Sequence, residues 1–149
     1  MRHSPFEAPV ITYLSAHPKA VVARLPGDRT AVARALGVAR RFCEGAGVGP
    51  DCADKLSIVV EEWMVNVVEH GRPAPGSRIA LRLVREPACV RLVVTDAGTF
   101  FDPREAVFEG PNLDRGGGAG LELIRAWTRI AGYGRRSGRN RLVLEMPVG

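Results

Sequence analysis

The run from Pro50 to Gly71 constrains the fold more than any other part of the chain. Proline suits the first position of a helix, Asp51 and Asp54 suit its positive N-terminal end, and Gly71 suits its stop. At about 100° per residue, Glu62, Asn66, Glu69 and His70 fall on one side of that helix. Leu56, Val59, Val60, Trp63, Met64, Val67 and Val68 fill most of the remaining circumference. A helix this apolar is largely buried. A buried carboxylate costs several kcal/mol unless it is paired, and few cations lie nearby in sequence. The polar stripe therefore faces either solvent or a cavity that holds a cation, water or a polar ligand. The helix alone does not choose between them.

The flanking segments read as short elements. Residues 1–18 carry Pro5, Pro9 and Pro18 and no clear period, as in a tail or an edge strand. Ala20 to Leu25 reads as a strand ending at Pro26-Gly27. Asp28 or Thr30 caps a helix running to about Glu44, with Val32, Leu36, Ala39 and Phe42 as its apolar stripe. Beyond Gly71, Arg78 to Arg85 alternates as a half-buried strand, and Cys89 to Thr95 forms a second. Leu121 to Thr128 is a short helix, and strands follow at Arg129–Arg135 and Arg141–Met146. Helices thus interrupt antiparallel hairpins, which predicts an α+β two-layer sandwich with helices on one face of a single sheet. One domain spans 19–149, with no internal repeat and no dividing linker.

Composition narrows the class. Hydrophobic residues make up 46% of the 149, enough for a core in one domain. No apolar run approaches a membrane span and no signal pattern opens the chain, so a soluble, cytoplasmic protein is expected. Cys43, Cys52 and Cys89 fit neither a disulfide framework nor a Cys-x-x-Cys metal site and read as buried, reduced thiols. The net charge is +5, carried almost wholly by arginine because Lys19 and Lys55 are the only lysines. With few aromatics and no DNA-binding motif, solvated arginine faces outweigh a nucleic-acid groove.

Two further motifs bear on chemistry. Asp96-x-Gly98 follows a strand. Alone it reads as a turn, although a carboxylate beside a glycine also suits an exocyclic amine on a flat ligand such as adenine. Gly116-Gly117-Gly118-Ala119-Gly120 runs straight into a helix, where bare backbone N–H groups make an anion site. It is neither a Walker A loop nor a Rossmann turn. With these pieces joined, Asn66 offers an amide oxygen to a hard cation such as Mg²⁺ that bridges phosphates. Glu62, one turn earlier, is placed to take a proton.

The motifs Glu62-x-x-x-Asn66-x-x-x-His70-Gly71, Asp96-x-Gly98-x-x-Phe101-Asp102-Pro103 and Gly116-Gly117-Gly118-x-Gly120-Leu121-x-Leu123-Ile124 resemble the three nucleotide boxes of the GHKL ATPases. The nearest subgroup is the anti-sigma-factor serine/threonine kinases, and the resemblance covers roughly 20–147. Gly138-x-Asn140-Arg141-Leu142 also resembles that subgroup. The resemblance implies a Bergerat ATP-binding fold with a mixed, mostly antiparallel sheet. It implies Glu62 as catalytic base and Asn66 as Mg²⁺ ligand. It also implies a nucleotide site of Asn66, His70, Asp96, Gly98, Phe101, Gly116, Gly118, Gly120 and Leu121, in which Asp96 contacts adenine and Gly98 makes room. ATP and Mg²⁺ are the implied cofactors. The implied partners are a small STAS-like anti-anti-sigma protein, phosphorylated on serine, and a sigma factor, with a homodimer as a further assembly. No histidine-kinase phosphoacceptor domain is expected within these residues.

Trp63 departs from the family pattern, since a small residue usually follows the base. It either packs into the core or crowds the site. Glu61 points about 100° away from Glu62 and outside the Asn66 stripe. The expected function is an ATP- and Mg²⁺-dependent protein serine kinase acting on a transcriptional switch. The alternative is a non-catalytic nucleotide-binding module that sequesters a partner.

Overall fold

A computed structural model describes residues 10–12, 19–105 and 120–148. The elements run β1 (Val10–Thr12), β2 (Ala20–Pro26), α1 (Thr30–Ala46), α2 (Pro50–Val65), a π-helical turn (Asn66–His70), β3 (Arg78–Arg85), β4 (Cys89–Asp96), α3 (Gly120–Trp127), β5 (Arg129–Arg136) and β6 (Arg139–Pro147). The sheet order is β1-β2-β3-β4-β6-β5. Every described pairing is antiparallel, so the expected mixed sheet has no parallel pair among the described residues. The rest of the expected architecture stands: α+β, two layers, helices on one face.

Alternation along the strands builds the core. Val21, Ala23 and Leu25 of β2, Ile79, Leu81 and Leu83 of β3, and Val90, Leu92 and Val94 of β4 are buried beneath the helices. In β6 the inward set is Asn140, Leu142, Leu144 and Met146, so an amide stands where the period calls for an apolar residue. Against this floor α2 buries Leu56, Val59, Val60, Trp63 and Met64. The α1 stripe keeps the expected Ala39 and Phe42 but is otherwise shifted. Ala31, Ala35, Val38, Ala39, Phe42 and Cys43 are buried, while Val32 and Leu36 are only half-buried. Three of the six buried residues are alanines, and the larger Val32 and Leu36 are buried only in part.

Ends are fixed locally. The Asp28 carboxylate accepts from the Thr30 amide at 2.8 Å and from its hydroxyl, so Asp28 serves the start of α1. Gly47 closes α1 at φ 66, the left-handed conformation glycine favours. All three cysteines are free, but only Cys43 is buried. Burial pushes its thiol up to about 11. No helix among the described residues is long and apolar enough to cross a membrane.

Candidate active site

The site forms where α2 changes its winding. From Asn66 to His70 the helix widens into a π-turn, a feature that recurs at functional sites. The Gly71 amide donates to the Asn66 carbonyl at 3.0 Å and closes the turn. Gly71 ends the helix by close approach, because a Cβ there would lie 2.5 Å from the Val67 carbonyl oxygen. The left-handed residue that turns the chain away is Arg72, at φ 45.

The loop after β4 is stitched to this helix end. The Thr99 amide donates to the Gly71 carbonyl at 2.7 Å. Gly98 lies so close that an added Cβ would stand 2.6 Å from the same oxygen. Gly98 was expected to make room for a ligand; the space its missing side chain leaves is taken by Gly71. Asp96 is 4% exposed. Its Oδ1 accepts from the Gly98 amide at 2.8 Å and from Asn140 Nδ2 at 3.1 Å, which leaves the other carboxylate oxygen to a ligand. Asn140 Nδ2 also donates to the carbonyls of Gly98 at 3.0 Å and Thr99 at 3.3 Å. All three partners are acceptors, which fixes the orientation of the Asn140 amide.

A cavity of about 280 Å³ opens between the π-turn, this loop and β5. Asn66, His70, Asp96 and Phe101 all line it, so four of the expected site residues share one hollow. Tyr133 and Trp63 complete an aromatic wall. Trp63 is 2% exposed and also lines the cavity, so it both packs in the core and narrows the site. Its ring meets Tyr133 edge-on, with centroids 6.1 Å apart. The Tyr133 hydroxyl accepts from the Phe101 amide at 3.0 Å, and its ring lies 5.2 Å from Phe100. Burial pushes the Tyr133 phenol above its ordinary value, so it stays protonated at neutral pH.

Glu62 stands apart from the lining residues, one turn before Asn66. It packs on Gly120, the first residue of α3, where a Cβ would collide with its carboxylate and lie 3.0 Å from its Cδ. Burial, reinforced by the charge of Glu61, raises the Glu62 carboxyl above the usual range. Leu121 is half-buried and packs against the hydrophobic core. Gly116 and Gly118 lie outside the described residues.

Sequence reasoning gave no role in the site to two residues that shape it, Asn140 and Tyr133. Asn140 carried a signal, a lone amide on the inward phase of an alternating strand. Tyr133 carried none, since glycines flank it and its partners come from α2 and the β4 loop.

The family model of the histidine kinase-like ATPase domain matches residues 25–146. The chain belongs to that family. Histidine kinase-like ATPase domains bind ATP, and the GHKL resemblance of the three motifs is borne out. The serine/threonine-protein kinase BtrW of Bordetella bronchiseptica is 33% identical over 96 residues. That match covers 60% of this chain and 66% of BtrW, just under two thirds of it. The fold is also that of the histidine kinase domain of a blue-light activated histidine kinase from Erythrobacter litoralis. There the TM-score is 0.51 at 15% identity, over 78% of this chain and 60% of that one. The cavity of this histidine kinase-like ATPase domain lies between helix end and sheet.

Proposed function

We propose that this domain is an ATP- and Mg²⁺-dependent protein serine/threonine kinase that acts as an anti-sigma regulatory factor in a partner-switching system. The observation that carries the reading is the meeting of Asn66, His70 and Asp96 around one cavity, with Glu62 one helical turn away. The free oxygen of Asp96 would accept from an exocyclic amine of the base, in the cavity that Tyr133 and Phe101 also line. Asn66 supplies an amide oxygen. No cluster of three or more His, Cys, Asp or Glu residues able to hold a metal is found among the described residues. Magnesium fits that donor set, because it usually keeps several waters and takes most of its protein-side charge from phosphates. Bound there, the ion would offset phosphate charge.

Glu62 takes the proton of the attacking serine hydroxyl as the serine oxygen bonds to the terminal phosphorus and ADP departs with the bridging oxygen. Its raised pKa brings it nearer the working pH, as a general base requires. The name of BtrW supports serine or threonine as the acceptor. The acceptor would be a serine on a small STAS-like antagonist, and the second partner a sigma factor, in the cytoplasm. Transfer of the terminal phosphate from labelled ATP to such an antagonist tests this. Glu62→Gln is expected to abolish transfer while sparing ATP binding, and Asn66→Ala to remove the Mg²⁺ dependence of binding. Undiminished transfer by Glu62→Gln would sink the assignment.

One observation favours a second reading, a non-catalytic module that sequesters its partner. Glu62 packs on Gly120 and does not line the cavity, while Trp63 does. Under that reading ATP binds but no phosphate reaches any protein acceptor.

A further inference from the structure

The face of the sheet turned away from the helices carries a charge pattern that the ATP site does not use. Strand alternation puts Arg24 of β2, Arg82 of β3, Arg136 of β5 and Arg139 and Arg141 of β6 on that face, and all five are exposed. The ladders set them side by side. Arg82 lies between Val22 and Val93, Arg141 between Thr95 and Gly134, and Arg139 opposite Arg136. A shallow groove of about 420 Å³ runs along β5 and β6, lined by Arg136, Arg139 and Arg141, and Gly132 and Gly134 keep its floor low.

Acids do not offset this charge. Glu145 is the acid on the outward side of β6, and it is engaged by Arg91 at 3.5 Å and Arg129 at 3.1 Å. Arg24, Arg82, Arg136 and Arg141 form no ion pair with a described residue. Between the guanidinium groups the ground is apolar. Val22, Val84 and Val143 are half-buried there, and Val93 is 7% exposed. The face therefore offers two chemistries in register, forked cations and a row of valines.

We infer that this face docks an acidic, amphipathic segment of a partner protein. Its carboxylates meet Arg82, Arg136, Arg139 and Arg141, each able to take a carboxylate in bidentate fashion. Its apolar side covers the valines. A second copy of this chain does not fit, because stacking the faces brings like charges together. Residues 1–18 do not supply the anions either, since they contain one acid, Glu7. A nucleic-acid backbone would engage the arginines but leave the valines unused. The outward positions of β2 to β6 carry no aromatic residue on which bases would stack, and Tyr133, which also lines the groove, has its ring packed on Trp63 and Phe100. This inference does not depend on phosphoryl transfer.

The test uses the full chain and a labelled synthetic helical peptide with glutamate on one side and leucine on the other. Binding is read by fluorescence anisotropy at physiological ionic strength. A peptide with glutamine for glutamate and a random-sequence duplex DNA serve as comparators. The chain is expected to bind the glutamate peptide at least about tenfold more tightly than either comparator, and Arg82→Glu/Arg141→Glu to lose at least about tenfold of that affinity. The double variant is expected to keep its circular dichroism and its ATP affinity, since both arginines are exposed and neither lines the cavity. No binding of the acidic peptide, equal binding by the double variant, or tighter binding of the duplex would overturn the inference.

Discussion

The Glu62 carboxylate rests on the Cα of Gly120, so closely that a methyl group at residue 120 would occupy its place. The first residue of α3 therefore sets the position of the group read as the base. Gly120→Ala forces a choice between moving Glu62 and moving α3. Glu62 is the softer partner, so the cost to stability is small, about 1 kcal/mol or less. Transfer is expected to fall by about 10- to 100-fold, because small displacements of a reacting group are expensive. Thermal melts and a transfer assay on the same preparations check this. Large destabilisation with turnover intact would show that the helix, not the side chain, gives way.

The raised Glu62 carboxyl carries a pH signature. Burial penalises its charged form, and the nearby Glu61 charge adds to that. A carboxyl whose folded pKa lies above its unfolded value contributes stability that is fully present below the unfolded pKa. That contribution is lost as pH rises through the folded pKa. At neutral pH the charge is thus a burden, and Glu62→Gln is expected to melt about 1–2 °C higher than the native chain. The gap closes as pH falls into the range where Glu62 is protonated. Melting curves across that range decide it. A variant that melts lower at neutral pH would mean that Glu62 has a stabilising partner.

Asn140 holds Asp96 and the loop behind it through two Nδ2 hydrogens shared among three acceptors, from a site with no exposure. Asn140→Ala leaves those acceptors without their donor and is expected to cost about 2–3 kcal/mol. Asn140→Asp is worse, because it sets a second carboxylate against Asp96. ATP affinity should fall in both, by calorimetry, since Asp96 is no longer held toward the cavity. Denaturant titration separates the two effects. Unchanged ATP affinity in a folded Asn140→Ala would remove Asn140 from the positioning role.

How much of this was legible beforehand follows from where the signal lay. Arg78 to Arg85 forms a strand over the expected residues because inward leucines and isoleucine alternate with outward arginines, a pattern local to the segment. The polar stripe on α2 was legible for the same reason, and Asn66 and His70 do line the cavity. The π-turn was not, because a change of winding by one residue leaves composition and period almost unaltered. Asn140 showed its inward phase but not its partner, 44 positions away, and Tyr133 showed nothing, because its partner lies 32 positions away and only the sheet register brings it near. On α1 the expected Ala39 and Phe42 are buried, whereas Val32 and Leu36 are half-buried and Ala31, Ala35, Val38 and Cys43 complete the inward side.

Gly98 separates two explanations of the same glycine. If its role is to admit a ligand, Gly98→Ala weakens ATP binding and leaves the fold alone. The structure gives a different account, since the added Cβ would lie 2.6 Å from the Gly71 carbonyl oxygen and 3.0 Å from its carbon. That obstacle is backbone, held in turn by the Thr99 amide at 2.7 Å, and it cannot rotate aside. Either the loop lifts off the helix end or the π-turn distorts. Gly98→Ala is therefore expected to lose about 2–4 kcal/mol of stability. Amide hydrogen exchange should show the loss concentrated at Thr99 and Gly71, where the stitch opens. A stable Gly98→Ala with native exchange at both amides and weakened ATP binding would return the glycine to the ligand.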